Sequence, residues 1–471
     1  RRVLFRSDKM SQNREQWGSR VGFILAASGS AIGLGNLWKF PYITWHNNGG
    51  AFVIVYLIAV ILIGWPIMTA EILIGRKSQK NPVLAFDELG GSNWSLIGWL
   101  GVLTGLVILG YYAVIAGWTI TSFISCMNWS MNGYTAPEEG AFGEFIGNGK
   151  LQLLLSFIFL ALTAGVISKG IKKGIERATK ILMPILFLII VYMVIMALGL
   201  PGRNEAFSFI FSPDFSNLPP SGILEAVGHA FFTLSLGMGA MITYGSYMDK
   251  KESIFKNAAL VVILDTVLAI AACVIMYTII FSVPSVKDSI SGSTVGMLFI
   301  TLPNLLYTEI PFGTILAPVF YILVGFAALS STISLLEVIV SLLIDKMKMS
   351  RQKATLIGAG TTYVISIFCA LSLGAVDALS SFSIFGPGKE GVLSTLDHLA
   401  SNWMLPVGGL FITIFVGWFM DQKIIQDEVG KFNDDGSVNF TYNMFKFFIR
   451  FIAPVAILAV IISVIFGKDF S

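Results

Sequence analysis

Apolar runs of roughly 20 residues, the length that crosses a bilayer's hydrocarbon core as helix, recur along the whole chain. Nothing else in the sequence limits the fold as strongly. A single water-soluble core has no room for that much apolar surface. The charge count agrees: 13% of the 471 residues are Asp, Glu, Lys or Arg, against ~25% in an ordinary soluble domain. The net charge of +3 gives no footing for nucleic acid. Three cysteines, Cys126, Cys273 and Cys369, lack metal-ligand spacing and read as free thiols packed as small hydrophobes.

Eleven candidate spans follow, at about 20–42, 51–76, 94–127, 151–168, 177–200, 221–248, 256–283, 313–344, 354–374, 391–420 and 444–466. Lys and Arg concentrate in alternate connections, among them Arg76, Lys77 and Lys80, then Lys169, Lys172, Lys173, Arg177 and Lys180, and later Lys346, Lys348, Arg351, Lys353, Lys423 and Lys431. The other connections carry acids such as Glu138, Glu139 and Glu144. Basic loops stay on the cytoplasmic side. The N-terminus is therefore expected inside and the C-terminus outside, in a multi-pass protein of the plasma (inner) membrane. Residues 1–13 have no apolar core of a signal peptide and read as a leader or scar.

Two spans carry interruptions. The first contains Ala27-Ser28-Gly29-Ser30-Ala31-Ile32-Gly33-Leu34-Gly35-Asn36, and the sixth contains Thr233-Leu234-Ser235-Leu236-Gly237-Met238-Gly239. Glycine weakens a helix. Unwound backbone at membrane depth is tolerated only where it is buried in protein or lines a cavity. Either segment alone also fits small-residue helix packing. Together they occupy matching positions in two five-helix halves, the pattern of an inverted-repeat transporter with its site at the midplane.

At these residues the chain resembles the neurotransmitter:sodium symporter family. The stretches that carry the resemblance are REQWGSRVGFILAASGSAIGLGNLWKFPY (14–42), NGGAFVIVYLIAVILIGWP (48–66), FFTLSLGMGAMITYGSY (231–247) and AALSSTISLLE (327–337). It is most similar to bacterial amino acid transporters of the eleven-helix, multi-hydrophobic type. The resemblance implies an all-α polytopic fold of the LeuT type: eleven transmembrane helices, a five-plus-five inverted repeat, and breaks in helices 1 and 6. The expected layout is a first repeat at 14–200, an outer loop at 201–220, a second repeat at 221–420, and a cytoplasmic loop with helix 11 at 421–471.

The resemblance also implies two sodium sites. The first takes the Ala31 carbonyl, Asn36, Thr233, a group at Asp265 and the substrate carboxylate. The second takes the carbonyls of Gly29, Ile32 and Ala327 with the hydroxyls of Ser330 and Ser331. These are hard oxygen donors, as sodium requires. By itself the Ser330-Ser331-Thr332 run also reads as hydroxyls bonding their own helix. Asp265 stands where many members have Asn, and its charge replaces the chloride that animal members use, so no chloride requirement is expected. Tyr56 nonetheless matches the chloride-site tyrosine. His229 replaces a usual Gln and reads either as a satisfied hydrogen-bonding residue or as a proton carrier.

For substrate, the resemblance implies a pocket of Ser30, Gly33, Gly35, Ile108, Tyr112, Phe232, Ser235, Met238, Ser331, Ser334 and Leu335. Gly33 replaces the acid that holds the amine in monoamine carriers. The expected solute therefore brings its own carboxylate, as an amino acid does, and the apolar walls favour a hydrophobic or aromatic L-amino acid. The outer gate is expected at Lys39 and Asp397, with Lys in place of Arg, and the inner gate at Arg14 and Asp345 with Trp17 and Tyr247. Glu71 is expected to support unwound backbone of the sixth span, and Glu337 to join Tyr247. The fifth span carries Gly174 and Pro184, with nine residues between them; the resemblance implies that it unwinds at its cytoplasmic end, while the residues alone equally fit a static proline kink.

A sodium-coupled symporter importing an amino acid by alternating access is the leading reading. A proton-coupled carrier of the same fold and a non-transporting sensor are the alternatives. No nucleophile–base pair, metal cluster or phosphate loop suggests an enzyme.

Overall fold

The chain is described from a computed structural model, over residues 14–138, 140–283, 296–429 and 440–468. The leader at 1–13, Glu139 and Lys431 fall outside the described residues. Among the described residues the regular structure is helical, and nine helices are long and apolar enough to cross a bilayer: Gly50–Ser78, Ser95–Asn132, Gly149–Ile167, Ile171–Leu198, Ile254–Ser282, Gly313–Met347, Arg351–Leu371, Val392–Phe419 and Phe440–Ile465. Arg20–Ala31 and Gly35–His46 form a tenth span bent by 52°. The sixth expected span, 221–248, is two short helices, Pro220–Thr233 and Ala240–Gly245, neither long enough to cross alone. The spans are numbered below in chain order, with these two helices as span 6.

The break in span 1 has a local cause. Ile32 leaves helical geometry at ψ 99°, and the amide of Gly33, which would have continued the ladder, donates to Asn36 Oδ1 at 3.0 Å. In span 6, Ser235, Gly237 and Gly239 take φ values of 54°, 81° and 75°. That left-handed run cannot continue a helix. Gly237 is doubly constrained, because a Cβ there would stand 2.6 Å from the Leu405 carbonyl oxygen of span 10. Glu71 on span 2 accepts the Gly237 amide hydrogen at 2.7 Å, satisfying one donor that the broken helix frees.

Spans 3 and 8 form the centre. Their apolar windows are 83% and 89% buried by protein, against 28% for span 5 and 33% for span 11, whose apolar faces are left for lipid. The first half of span 1 packs against spans 5, 7 and 8. The loop regions 128–150 and 201–220 carry short helices, Ala141–Gly147 and Arg203–Phe211. All three cysteines are buried and unpaired, as expected.

Candidate functional site

The two interruptions meet. Backbone and side chains of spans 1 and 6, with spans 3 and 8, enclose a chamber of about 30 Å³. Every expected substrate residue lines it: Ser30, Gly33, Gly35, Ile108, Tyr112, Phe232, Ser235, Met238, Ser331, Ser334 and Leu335, joined by Ala31, Leu34 and Thr233. Among the described residues no charged side chain lines it. The polar wall is organised by short bonds. Ser30 Oγ donates to Ser334 Oγ at 2.7 Å, and Ser334 donates onward to the Ser331 carbonyl at 2.8 Å. Ser235 Oγ donates to the Ser30 carbonyl at 2.8 Å, and the Leu34 amide donates to the Tyr112 hydroxyl at 3.1 Å. Both glycines are required by space. A Cβ on Gly33 would lie 2.7 Å from Ser331 Oγ, and one on Gly35 would lie 3.0 Å from the Phe232 ring.

Beside the chamber, Asn36, Thr233 and Asp265 form a buried cluster. Asn36 Nδ2 donates to Asp265 Oδ1 at 2.8 Å and to Thr233 Oγ1 at 2.9 Å, and Thr233 Oγ1 donates to the Asp265 carboxylate at 3.2 Å. Tyr56 adds its hydroxyl at 3.5 Å. Asp265 is fully buried, and among the described residues no cationic side chain pairs with it. A buried carboxylate held only by neutral donors lacks a counter-charge, which is costly unless a cation supplies one. The donor set is all oxygen apart from the Asn36 amide, whose nitrogen faces the acid here. Asn36 Oδ1 accepts the Gly33 amide hydrogen and keeps a second lone pair for a cation.

At the second expected cation position spans 1 and 8 are in close contact. A Cβ on Gly29 would stand 3.0 Å from Ser330 Cβ. Ser330 and Ser331 each donate to the Ala327 carbonyl, at 3.0 and 3.2 Å. This is the helix-backbone bonding that the run alone suggested. It leaves both hydroxyl oxygens with lone pairs for a cation.

At the expected inner gate the N-terminal segment makes several polar contacts. Arg14 pairs with Asp345 at 2.5 Å and donates to Ser246 Oγ. Trp17 donates its ring N–H to the Tyr244 carbonyl and its amide to the Tyr247 carbonyl, both at 3.0 Å. Tyr247 donates to Glu337 at 2.7 Å. At the expected outer gate Lys39 is buried with Nζ 5.0 Å from the centre of the Phe232 ring, while Asp397 accepts from Ser401. His229 is buried against the rings of Phe40 and Tyr56, and neither ring nitrogen has a hydrogen-bond partner among the described residues.

Sequence reasoning overlooked three side chains here. Arg351 joins Glu337 at 2.9 Å and Glu15 at 3.4 Å, although it reads in sequence as one more loop charge. Glu15 Oε2 also accepts the Ile171 amide at 2.7 Å. Glu176 accepts from the Gly18 amide at 2.6 Å, from Ser19 Oγ at 2.9 Å and from Lys180 at 2.6 Å. Their one sequence signal was a charge at the edge of an apolar span.

Two broken spans meeting at a buried chamber in a helical membrane protein are the pattern of a secondary transporter. Comparison with known proteins makes this specific. The profile of the sodium:neurotransmitter symporter family matches residues 14–138 and 142–469, and the chain belongs to that family. It is 35% identical to an uncharacterized sodium-dependent transporter of Bacillus subtilis, over 96% of this chain and 98% of the relative. It is 33% identical to another from Methanocaldococcus jannaschii, over 89% and 85%. The crystal structure of MhsT in complex with L-phenylalanine superposes with a TM-score of 0.85 at 40% identity, covering 96% of this chain and 99% of that one. The protein is accordingly a sodium-dependent symporter with a multi-pass helical fold.

Proposed function

We propose that this chain imports a hydrophobic or aromatic L-amino acid together with sodium, by alternating access. The observation that carries the reading is the fully buried Asp265 carboxylate, held by Asn36, Thr233 and Tyr56 beside a chamber without charged walls. Sodium enters as co-substrate. At the first site it takes oxygens from Ala31, Asn36, Thr233 and Asp265, and the solute's carboxylate completes the shell. At the second it takes the carbonyls of Gly29, Ile32 and Ala327 with Ser330 and Ser331. Because the first ion and the solute share that carboxylate, each raises the affinity for the other.

The uncharged lining supports an α-amino acid over an amine. The solute's ammonium meets carbonyls of the interrupted span 6 and Ser235. Its side chain lies against Ile108, Tyr112, Phe232, Met238 and Leu335. The open space is only about 30 Å³, so a bulky side chain enters by displacing Met238, which is flexible, and Phe232. The L-phenylalanine held by MhsT supports the aromatic end of this range. Asp265 supplies fixed negative charge next to the first ion, so chloride is not needed. Lys39 with Asp397 closes the outer path, and Arg14 with Asp345, Trp17 and Tyr247 closes the inner one.

The test is uptake of radiolabelled L-phenylalanine into proteoliposomes with sodium outside, inside or absent, in competition with each of the twenty amino acids. Accumulation should require external sodium and be inhibited best by large apolar amino acids. Uptake that ignores the sodium gradient but follows an imposed proton gradient would overturn the coupling, and inhibition only by small polar amino acids would overturn the substrate class.

A further inference from the structure

The start of span 5 carries a charge cluster that transport does not use. Lys169, Lys172, Lys173, Arg177 and Lys180 fall within twelve residues and line one open groove of about 1100 Å³. All five are exposed. Lys180 is balanced by Glu176 at 2.6 Å, but the other four form no ion pair among the described residues. On other connections acids compensate several of the bases: Arg76 and Lys77 share Glu428, Lys80 meets Glu88, and Arg351 meets Glu337 and Glu15.

The same helix continues directly into a lipid-facing stripe. Ile181, which also lines the groove, is 53% exposed, and below it on the helix Ile185, Leu188 and Ile195 are exposed as well. Cations above an exposed apolar stripe match an amphipath with an anionic head and an acyl tail. Each Lys or Arg near a membrane surface adds to the attraction for anionic lipid, and here four uncompensated ones share a single groove.

The geometry points to an anionic phospholipid site: a headgroup phosphate held by Lys169, Lys172, Lys173 and Arg177, with an acyl chain along Ile181, Ile185 and Leu188. The seat adjoins the turn Ile171–Glu176, which the N-terminal segment already holds through Glu15 to the Ile171 amide and through Gly18 and Ser19 to Glu176. A bound headgroup is a third tie on that turn and steadies it. The inference does not depend on which solute is carried.

The full chain, placed in phosphatidylcholine nanodiscs with and without phosphatidylglycerol, provides the test. Native mass spectrometry should find phosphatidylglycerol retained by the parent. Combined Lys172→Gln, Lys173→Gln and Arg177→Gln should lower that retention on the order of tenfold or more. Combined Lys346→Gln, Lys348→Gln and Lys353→Gln, on another connection, should leave it unchanged. Hydrogen exchange over residues 168–182 should slow on adding phosphatidylglycerol in the parent and not in the first variant. Equal retention by parent and first variant, or equal loss in both variants, would overturn the site. Equal protection by soluble glycerol 3-phosphate in phosphatidylcholine discs would overturn the lipid assignment in favour of a free phosphate.

Discussion

Glu71 Oε1 receives the amide hydrogen of Gly237 at 2.7 Å, across 166 positions of chain. That one bond ties span 2 to the unwound part of span 6. Glu71→Gln keeps an acceptor oxygen and should retain most of the stability. Glu71→Ala leaves a buried amide unpaired, at a cost of ~1–3 kcal/mol. Thermal unfolding in detergent checks this, and an alanine variant as stable as the parent would contradict it.

At Gly33 the surrounding side chains leave no room for a methyl group, since its carbon would lie 2.7 Å from Ser331 Oγ and 3.2 Å from Tyr112 OH. Gly33→Ala should therefore weaken solute binding by about tenfold or more, through ~1–3 kcal/mol of overpacking. Scintillation proximity binding measures it. Gly165→Ala is the matched control, because a Cβ there meets nothing within 4 Å.

Removing the charge at Asp265 separates coupling from packing. Asp265→Asn preserves shape and one acceptor oxygen but removes the fixed charge beside Asn36 and Thr233. Apparent sodium affinity should fall by on the order of tenfold, about 1.4 kcal/mol. Uptake against sodium concentration reads the shift. An unchanged sodium curve would mean that Asp265 does not meet the ion.

In the parent, replacing external chloride by gluconate should leave uptake unchanged, because Asp265 already provides the local negative charge. A strong loss of uptake would refute that assignment and return attention to Tyr56, whose hydroxyl lies 3.5 Å from the same carboxylate.

At the inner face, Arg14 links Asp345 and Ser246. Arg14→Ala should free the N-terminal segment and speed hydrogen exchange of residues 14–24 by about tenfold or more, since bonds to a charged group contribute ~1.5–3 kcal/mol. Sodium should slow exchange in the parent more than in the variant if the ion favours the inward-closed form. Identical exchange in both proteins would count against the Arg14 latch.

The helical architecture was legible because lipid imposes a coarse rule. Each span announced itself by apolar length, and the observed bounds differ from those read in sequence by a few residues, as in 313–344 against Gly313–Met347. Both interruptions were legible because glycine beside Ser, Thr and Asn at mid-span has few other uses. Span 6 was less so as a pair of helices: the left-handed values at Ser235, Gly237 and Gly239 depend on Glu71 and on the close approach of Leu405, which are distant in sequence. The links from Arg351 to Glu337 and from Glu176 to Gly18 were hidden for the same reason. A charge at a helix edge looks alike in sequence whether it faces water or reaches across to another helix.

One peptide oxygen deserves a mechanical reading. The carbonyl of Ser30 takes the hydroxyl hydrogen of Ser235 at 2.8 Å and has the Ser331 hydroxyl 3.4 Å away, so groups from three spans meet at a single atom. Span 8 grips the same residue a second time, through Ser334 Oγ at 2.7 Å from Ser30 Oγ. Ser30 is thus a rivet through spans 1, 6 and 8, and none of the three can slide past the others without parting a short bond.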